Sequence, residues 1–193
     1  MFVISLITGV NQQYIETVHS LTDYENAIRQ GEGILRVILA IDGLFIASYW
    51  MLGIFLVVSL WKEDRKLLLS LSVACISVTA ILDIIENSEF LMFMESLRNE
   101  LPIGGSSIQN LMVMSSVKWY FAYFAFLFLG FAFPVNTSTE RNAAFLMKYI
   151  QLPVGILVFT IPVSPALFAA HLVRLAILLT ILFLLAKVTR KWN

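Results

Sequence analysis

Long apolar stretches separated by short polar connections dominate the pattern of hydrophobic and polar positions along the chain. Each stretch is close to the about 20 residues that a helix needs to cross a bilayer. The stretches cover residues 34–60, 67–87, 110–133, 143–161 and 166–186. The pattern therefore predicts an all-α integral membrane bundle of five transmembrane helices.

The segments that flank and connect these stretches predict how the bundle is organised. Residues 1–33 contain a polar, acidic part and are predicted to form a short external N-terminal segment, ahead of a transmembrane domain over residues 34–193. Residues 88–97 keep apolar side chains at helical spacing, so the second helix either continues out of the membrane or lies along its surface. Pro153 interrupts the fourth stretch, and the prolines within residues 161–165 predict a tight turn into the fifth.

Lysine and arginine are distributed unequally between the two sides of the predicted bundle. The first and third connections and the C-terminal tail carry most of the basic residues: Lys62, Arg65, Lys66, Arg141, Lys148, Lys187, Arg190 and Lys191. The opposite side is rich in acidic residues: Glu16, Asp23, Glu25, Glu32, Glu89, Glu95 and Glu100. Because positive residues favour the cytoplasmic side, this distribution predicts an external N-terminus and an internal C-terminus.

The composition agrees with a membrane protein and excludes several other classes. The chain has 193 residues, of which 59% are hydrophobic and 13% charged, and its mean hydropathy is +0.84. These values lie outside the range of soluble globular proteins. The apolar composition predicts a lipid bilayer as partner, and the formal net charge of zero and the lack of a basic run give no sign of a nucleic-acid partner. A single cysteine, Cys75, rules out a disulfide within the chain and a CxxC site.

Ionisable residues inside the predicted spans are the most informative candidates for function, because such groups are expensive in hydrocarbon. Asp83, Glu86 and Asn87 share one helix face at spacings of three and four residues. With a rise of about 1.5 Å per residue, the charged groups of four helices all fall in the outer half of the bilayer. We therefore expect one polar cluster, open to the outer side. Its candidate ligand-binding residues are Asp42, Asp83, Glu86, Asn87, Lys118, His171 and Arg174.

The charges within the spans balance, and small residues around them predict close helix packing. The spans contain three acids and three bases: Asp42, Asp83 and Glu86, and Arg36, Lys118 and Arg174. Small residues form one stripe on the first helix and another on the third: Ala40, Gly43 and Ala47, and Ser115, Ala122 and Ala125. Structural ion pairing is an equally open interpretation of the charges, since a buried pair need not have another role.

Two segments resemble a known group of proteins. The sequence from Leu82 to Asn87 contains an Asp-x-x-Glu-Asn motif on the second helix, and Lys118 follows on the third. This combination resembles a loose group of small uncharacterised bacterial multi-pass membrane proteins, over two of the five helices. The resemblance implies that Asp83, Glu86, Asn87 and Lys118 carry the shared motif. It implies a location in a bacterial inner membrane and no particular reaction.

Several specific chemistries remain open as alternatives, and the sequence identifies no cofactor. Haem ligation has only His19 and His171 to draw on. A divalent metal on Asp83, Glu86 and His171 lacks a diagnostic spacing. Lys118 has a carboxylate available as counter-ion for a Schiff base, but no further chromophore signature accompanies it. An enzyme is not expected and no catalytic residue is assigned, although an intramembrane enzyme using the acids and His171 stays open.

Two functions of different classes follow from the charged cluster. The first is the binding, sensing or transport of a cation, a proton or a small polar ligand that reaches the cluster from outside. The second is a non-catalytic accessory subunit, whose charges hold helices together or pair with another membrane protein. A homo-oligomer is compatible with either. A ligand-binding protein should be stable alone, whereas an accessory subunit should copurify with its partner.

Overall fold

The structure is a computed structural model that describes residues 21–160 and 165–189. These residues form α-helices in the order α1 (Leu21–Leu60), α2 (Lys66–Arg98), α3 (Gly105–Ala132), α4 (Ser138–Phe145), α5 (Gln151–Thr160) and α6 (Pro165–Thr189). A 3-10 turn, Glu63–Arg65, precedes α2, and a π-helix, Leu146–Ile150, joins α4 to α5. No β-strand occurs in the described part of the chain. The prediction of an all-α protein is confirmed.

Four of the described helices are long and apolar enough to cross a membrane: Leu21–Leu60, Glu63–Arg98, Gly105–Ala132 and Ala169–Thr189. They indicate an integral membrane protein. The fourth predicted stretch, residues 143–161, coincides with α4, the π-helix and α5, so it is helical without being one long α-helix. The turn predicted at residues 161–165 falls mostly on residues outside the described part of the chain.

The first two helices continue beyond their predicted ends. α1 has 40 residues and is therefore about 60 Å long, about twice the thickness of a hydrocarbon core. Residues 21–33 are its first turns rather than a separate loop. α2 runs without a break to Arg98, so Glu86 lies well inside the helix. Residues 88–97 continue this helix directly, and the end of the membrane span at residue 87 stays a prediction.

The helical segment that contains Pro153 is distorted about one turn before this residue. Proline has no N–H group, and its ring collides with the carbonyl group four residues before it. The π-helix Leu146–Ile150 lies at this point, and the backbone N–H of Gln151 donates to the carbonyl oxygen of Leu146, five residues before it. A wider turn of this type is a common way to place a distortion within a helix.

The C-terminus of α2 ends in a left-handed residue. Glu100 has φ of 58°. The N–H of Leu101 donates to the carbonyl oxygen of Ser96 at 2.8 Å, and the N–H of Glu100 donates to that of Leu97 at 3.2 Å. These bonds form a Schellman motif, in which glycine is the usual left-handed residue. The connection then leads into α3 at Gly105.

The described residues form two compact units, and the division falls within α1, α2 and α3. Unit 1 contains residues 21–51 and 80–118, and unit 2 contains residues 52–79 and 119–189. The buried core of unit 1 comprises Tyr24, Ile28, Leu35, Leu39, Phe90, Phe93, Met94, Leu97, Ile103, Ile108 and Leu111. That of unit 2 includes Leu56, Val57, Leu60, Leu69, Leu129, Ala132, Phe133, Ala143, Ala144, Met147, Ile181, Leu185 and Val188.

The two predicted stripes of small residues differ in their burial. Ser115, Ala122 and Ala125 on α3 are buried, as expected for a packing face. The stripe on α1 is exposed, and a Cβ added at Gly43 would meet no described atom within 4 Å. Asp42 and Ile46, on a neighbouring face of α1, are buried instead, and close approach of another helix to the α1 stripe stays a prediction.

Candidate functional site

The centre of the candidate site is the ammonium group of Lys118 on α3, which lies between two carboxylates of α2. Lys118 Nζ is 2.8 Å from Asp83 Oδ1 and also donates to Glu86 Oε2. Residues 83 and 86 are separated by about one helical turn, so both side chains leave α2 on the same face. One cation therefore holds two acids at once.

Helix α1 contributes two further side chains to the same unit. Tyr49 donates its hydroxyl hydrogen to Asp83 Oδ2 at 2.5 Å, and Asn87 Nδ2 donates to Asp42 Oδ2 at 2.8 Å. Asp42 and Tyr49 are seven residues apart, which is about two turns, so they share a face of α1. Three helices of unit 1 are thus connected through polar side chains.

This cluster carries more negative than positive charge. Asp42, Glu86 and Lys118 are 7%, 1% and 5% exposed, and Asp83 is also largely enclosed. Among the described residues of this cluster, three carboxyl groups therefore accompany one ammonium group, and two of the three, those of Asp42 and Glu86, are buried. Two buried oxygens, Glu86 Oε1 and Asn87 Oδ1, have no hydrogen-bond partner among the described residues. Polar and charged groups without a partner are costly to bury.

Arg36, one of the three bases within the predicted spans, contacts acidic residues of unit 1 other than Asp42, Asp83 and Glu86. Arg36 donates to Glu32 Oε1 at 2.9 Å and lies 3.8 Å from Glu95 Oε2, and its side chain is partly exposed. It is therefore engaged by acids outside the predicted spans. The physical reason is reach, since Glu32 lies one turn away on the same face of α1 and offers a partner at the helix surface.

His171 and Arg174, the other two candidates, belong to unit 2. Arg174 is 7% exposed, its guanidinium carbon lies 4.1 Å from the centroid of the Trp119 ring, and Nη1 is 3.4 Å from the hydroxyl oxygen of Tyr123. His171 Nδ1 is buried without a hydrogen-bond partner among the described residues. Their membership of a single site with the unit 1 cluster stays a prediction.

Three residues in these contacts are not among the candidate ligand-binding residues predicted from the sequence. Tyr49 carries a recognisable signal, because it follows Asp42 at a spacing of two helical turns in an otherwise apolar stretch. Trp119 and Tyr123 are part of the aromatic run on α3. Their spacing of four residues places them on one face, where the two rings stack at 6.1 Å between centroids. Tyr123 is fully buried, so this face is a contact surface for Arg174 rather than for lipid.

A metal centre finds no support in the described geometry. Among the residues that the structure describes, no group of three or more histidine, cysteine, aspartate or glutamate side chains is placed to hold a metal ion. Lys118 occupies the position between Asp83 and Glu86 that such an ion would need.

Comparison of the chain with models of protein families, with curated proteins and with solved structures finds no match. The resemblance to the group with the Asp-x-x-Glu-Asn motif stays a prediction. The function is therefore inferred from the residues of this chain and the contacts between them.

Proposed function

We propose that the chain is a five-span membrane protein with an external N-terminus and an internal C-terminus. The distribution of lysine and arginine supports this orientation. The helical segment from α4 through α5 would supply the span that its π-helix divides. In this arrangement Asp42, Asp83, Glu86 and Lys118 occupy the outer half of the bilayer.

We propose that this cluster binds protons or a small cation taken from the outer side, for sensing or transport. One observation carries the proposal: among the described residues of this cluster, the carboxyl groups of Asp42 and Glu86 are buried and that of Asp83 is largely enclosed, beside the one ammonium group of Lys118. Uncompensated charge is too costly in hydrocarbon to persist, so protons or a bound cation would neutralise the excess. Asp42 and Glu86 are the proposed acceptors, because Asp83 already receives hydrogen bonds from both Lys118 and Tyr49.

The contacts also suggest how binding of a proton or a cation to the cluster could be converted into a movement of helices. Lys118 holds Asp83 and Glu86 together. A proton on Glu86 would remove one of these attractions and leave the ammonium group to Asp83. Asn87 would orient the Asp42 carboxyl through its amide. Because Lys118 lies on α3 and its partners on α2, the exchange of partners would alter the contact between two helices.

The accessory-subunit function remains the rival. The same polar contacts connect α1, α2 and α3, which is what a structural lock requires. Buried ion pairs of this kind can specify an arrangement without binding anything. The rival is distinguished by two properties: a lock needs no change of protonation, and an accessory subunit copurifies with a partner.

The test is infrared difference spectroscopy of the protein in lipid nanodiscs during a pH titration. Protonated carboxyl groups absorb separately from carboxylates, and buried ones shift on exchange into D2O. We expect a buried carboxyl band that appears reversibly and is lost or shifted in Glu86→Gln and in Asp42→Asn. Proteoliposomes with an internal pH dye would then show whether proton uptake leads to flux under an imposed membrane potential.

The matched control is Glu95→Gln, which removes an exposed acid from the same helix. It should leave the buried carboxyl band unchanged. If no buried carboxyl titrates, or if the band is identical in all variants, the proton-binding proposal is wrong. A protein that is folded, shows no titration and is always isolated with a second membrane protein would establish the rival function.

A further inference from the structure

Arg174 is a buried cation whose contacts leave most of its hydrogen-bonding capacity unused. A guanidinium group has five N–H donors and always carries its charge. Only Nη1 donates to a described side chain, the Tyr123 hydroxyl, at a long 3.4 Å. One face of the guanidinium lies over the Trp119 ring. A stacked guanidinium keeps its N–H donors in the plane, where they can meet the oxygens of an anion.

No carboxylate of unit 2 neutralises this charge. The acidic residues among the described part of unit 2 are Glu63, Asp64 and Glu140, and all three have other partners. Glu63 binds Lys66 at 2.8 Å, and Asp64 lies 3.4 Å from Arg65. Glu140 accepts the N–H of Thr137 in the capping box of α4. A buried guanidinium without a counter-charge among these acids is costly, so an anion beside Arg174 would be stabilised.

A buried nitrogen atom without a hydrogen-bond partner among the described residues lies on the same helix as Arg174. His171 precedes it by three residues on the same face of α6, and its Nδ1 is buried with no hydrogen-bond partner among the described residues. Gly155 lies directly against the Tyr123 ring, because a Cβ added there would overlap the ring. The ring therefore has little freedom to move, and its hydroxyl stays beside the guanidinium.

We propose that Arg174, His171 and the Tyr123 hydroxyl form an oxyanion site, suited to a phosphate group. Arg174 supplies the charge and a planar pair of donors, Tyr123 supplies a hydroxyl, and His171 supplies an N–H in the appropriate tautomer. The phosphate comes either from a small soluble anion or from a phospholipid head group. This site is independent of the proposed proton or cation site, which has the opposite charge and lies in unit 1.

The test uses Trp119 as the reporter, because the indole lies under the guanidinium. The full-length protein in maltoside micelles, which contain no phosphate, is titrated with sodium phosphate at constant ionic strength, and tryptophan fluorescence is recorded. We expect a saturable change that disappears in Trp119→Phe. Arg174→Gln should abolish it, and Arg174→Lys should weaken binding about tenfold or more, since lysine lacks the planar fork. A second arm uses native mass spectrometry to count phosphatidylglycerol retained from mixed nanodiscs.

Lys148→Gln is the matched control, because Lys148 is also a unit 2 cation over an aromatic ring, at 5.1 Å from the Phe131 centroid. It should leave both readouts unchanged. A phosphate response alone identifies a soluble anion, and lipid retention that depends on Arg174 identifies a head group. If neither readout depends on Arg174, the proposal is overturned. Should Arg174→Gln fail to fold, a wild-type affinity in the folded Arg174→Lys protein would overturn it equally.

Discussion

Replacement of Lys118 by methionine tests the electrostatics of the unit 1 cluster most directly. Methionine has a similar length and is apolar, so the change removes the ammonium group while it leaves only a small packing defect. Asp83 and Glu86 then face each other without the cation that lies 2.8 Å from Asp83 Oδ1. We expect a large loss of stability, because the variant leaves buried acids without their counter-charge.

The size of the loss follows from the geometry. At 2.8 Å and an effective dielectric constant of about 20, the attraction of one such pair is roughly 6 kcal/mol before desolvation is subtracted. Desolvation cancels much of this attraction. Removing one partner of a buried pair nevertheless costs about 3–5 kcal/mol, since the remaining charge stays buried. We expect Lys118→Met to lie in this range.

A double-mutant cycle separates the charge effect from packing. Glu86→Gln removes one acid and leaves Lys118 paired with Asp83. The double variant, Lys118→Met with Glu86→Gln, should lose at least about 2 kcal/mol less than the sum of the two single losses, because one uncompensated charge is gone. The assay is unfolding in mixed micelles titrated with a denaturing detergent, followed by circular dichroism.

The result that would refute this reasoning is a Lys118→Met loss below about 1 kcal/mol together with simple additivity in the cycle. The ammonium group would then contribute no more than an exposed ion pair does. Lys148→Met serves as a comparison at a cation that is only partly buried, and it should change stability by less than about 1 kcal/mol.

Two further substitutions test backbone and packing features. Gly155→Ala should destabilise the protein by about 1–3 kcal/mol, because the added Cβ would overlap the Tyr123 ring. Gly43→Ala, at a position with open space around it, should be neutral or slightly stabilising. Equal effects of the two substitutions in the same detergent assay would show that Tyr123 can move aside. Glu100→Gly should stabilise the protein by about 0.5–1 kcal/mol, because glycine removes the cost of the left-handed conformation at φ of 58°. A loss of stability would mean that the Glu100 side chain has a role of its own.

The long apolar stretches determined the class of protein and most helix positions without help from the fold. The first stretch ends at Leu60, as the pattern predicted, and α3 and α6 begin and end within five residues of their predicted limits. The sequence-based predictions were less accurate for helix starts and ends that depend on capping residues. Thr137 and Glu140 form a capping box that starts α4 at Ser138, and the Thr-x-x-Glu spacing was present in the sequence as a signal.

For the charged residues, the sequence determined which side chains had to be explained, and only the tertiary structure decided their partners. Helical spacing placed Asp83, Glu86 and Asn87 on one face of α2. It did not determine that Arg36 turns to Glu32, that Tyr49 reaches Asp83, or that Arg174 lies on Trp119. The physical reason is that spacing along one helix specifies a direction around its axis, whereas pairing depends on the rotation and height of the neighbouring helices, which all their packed side chains set together.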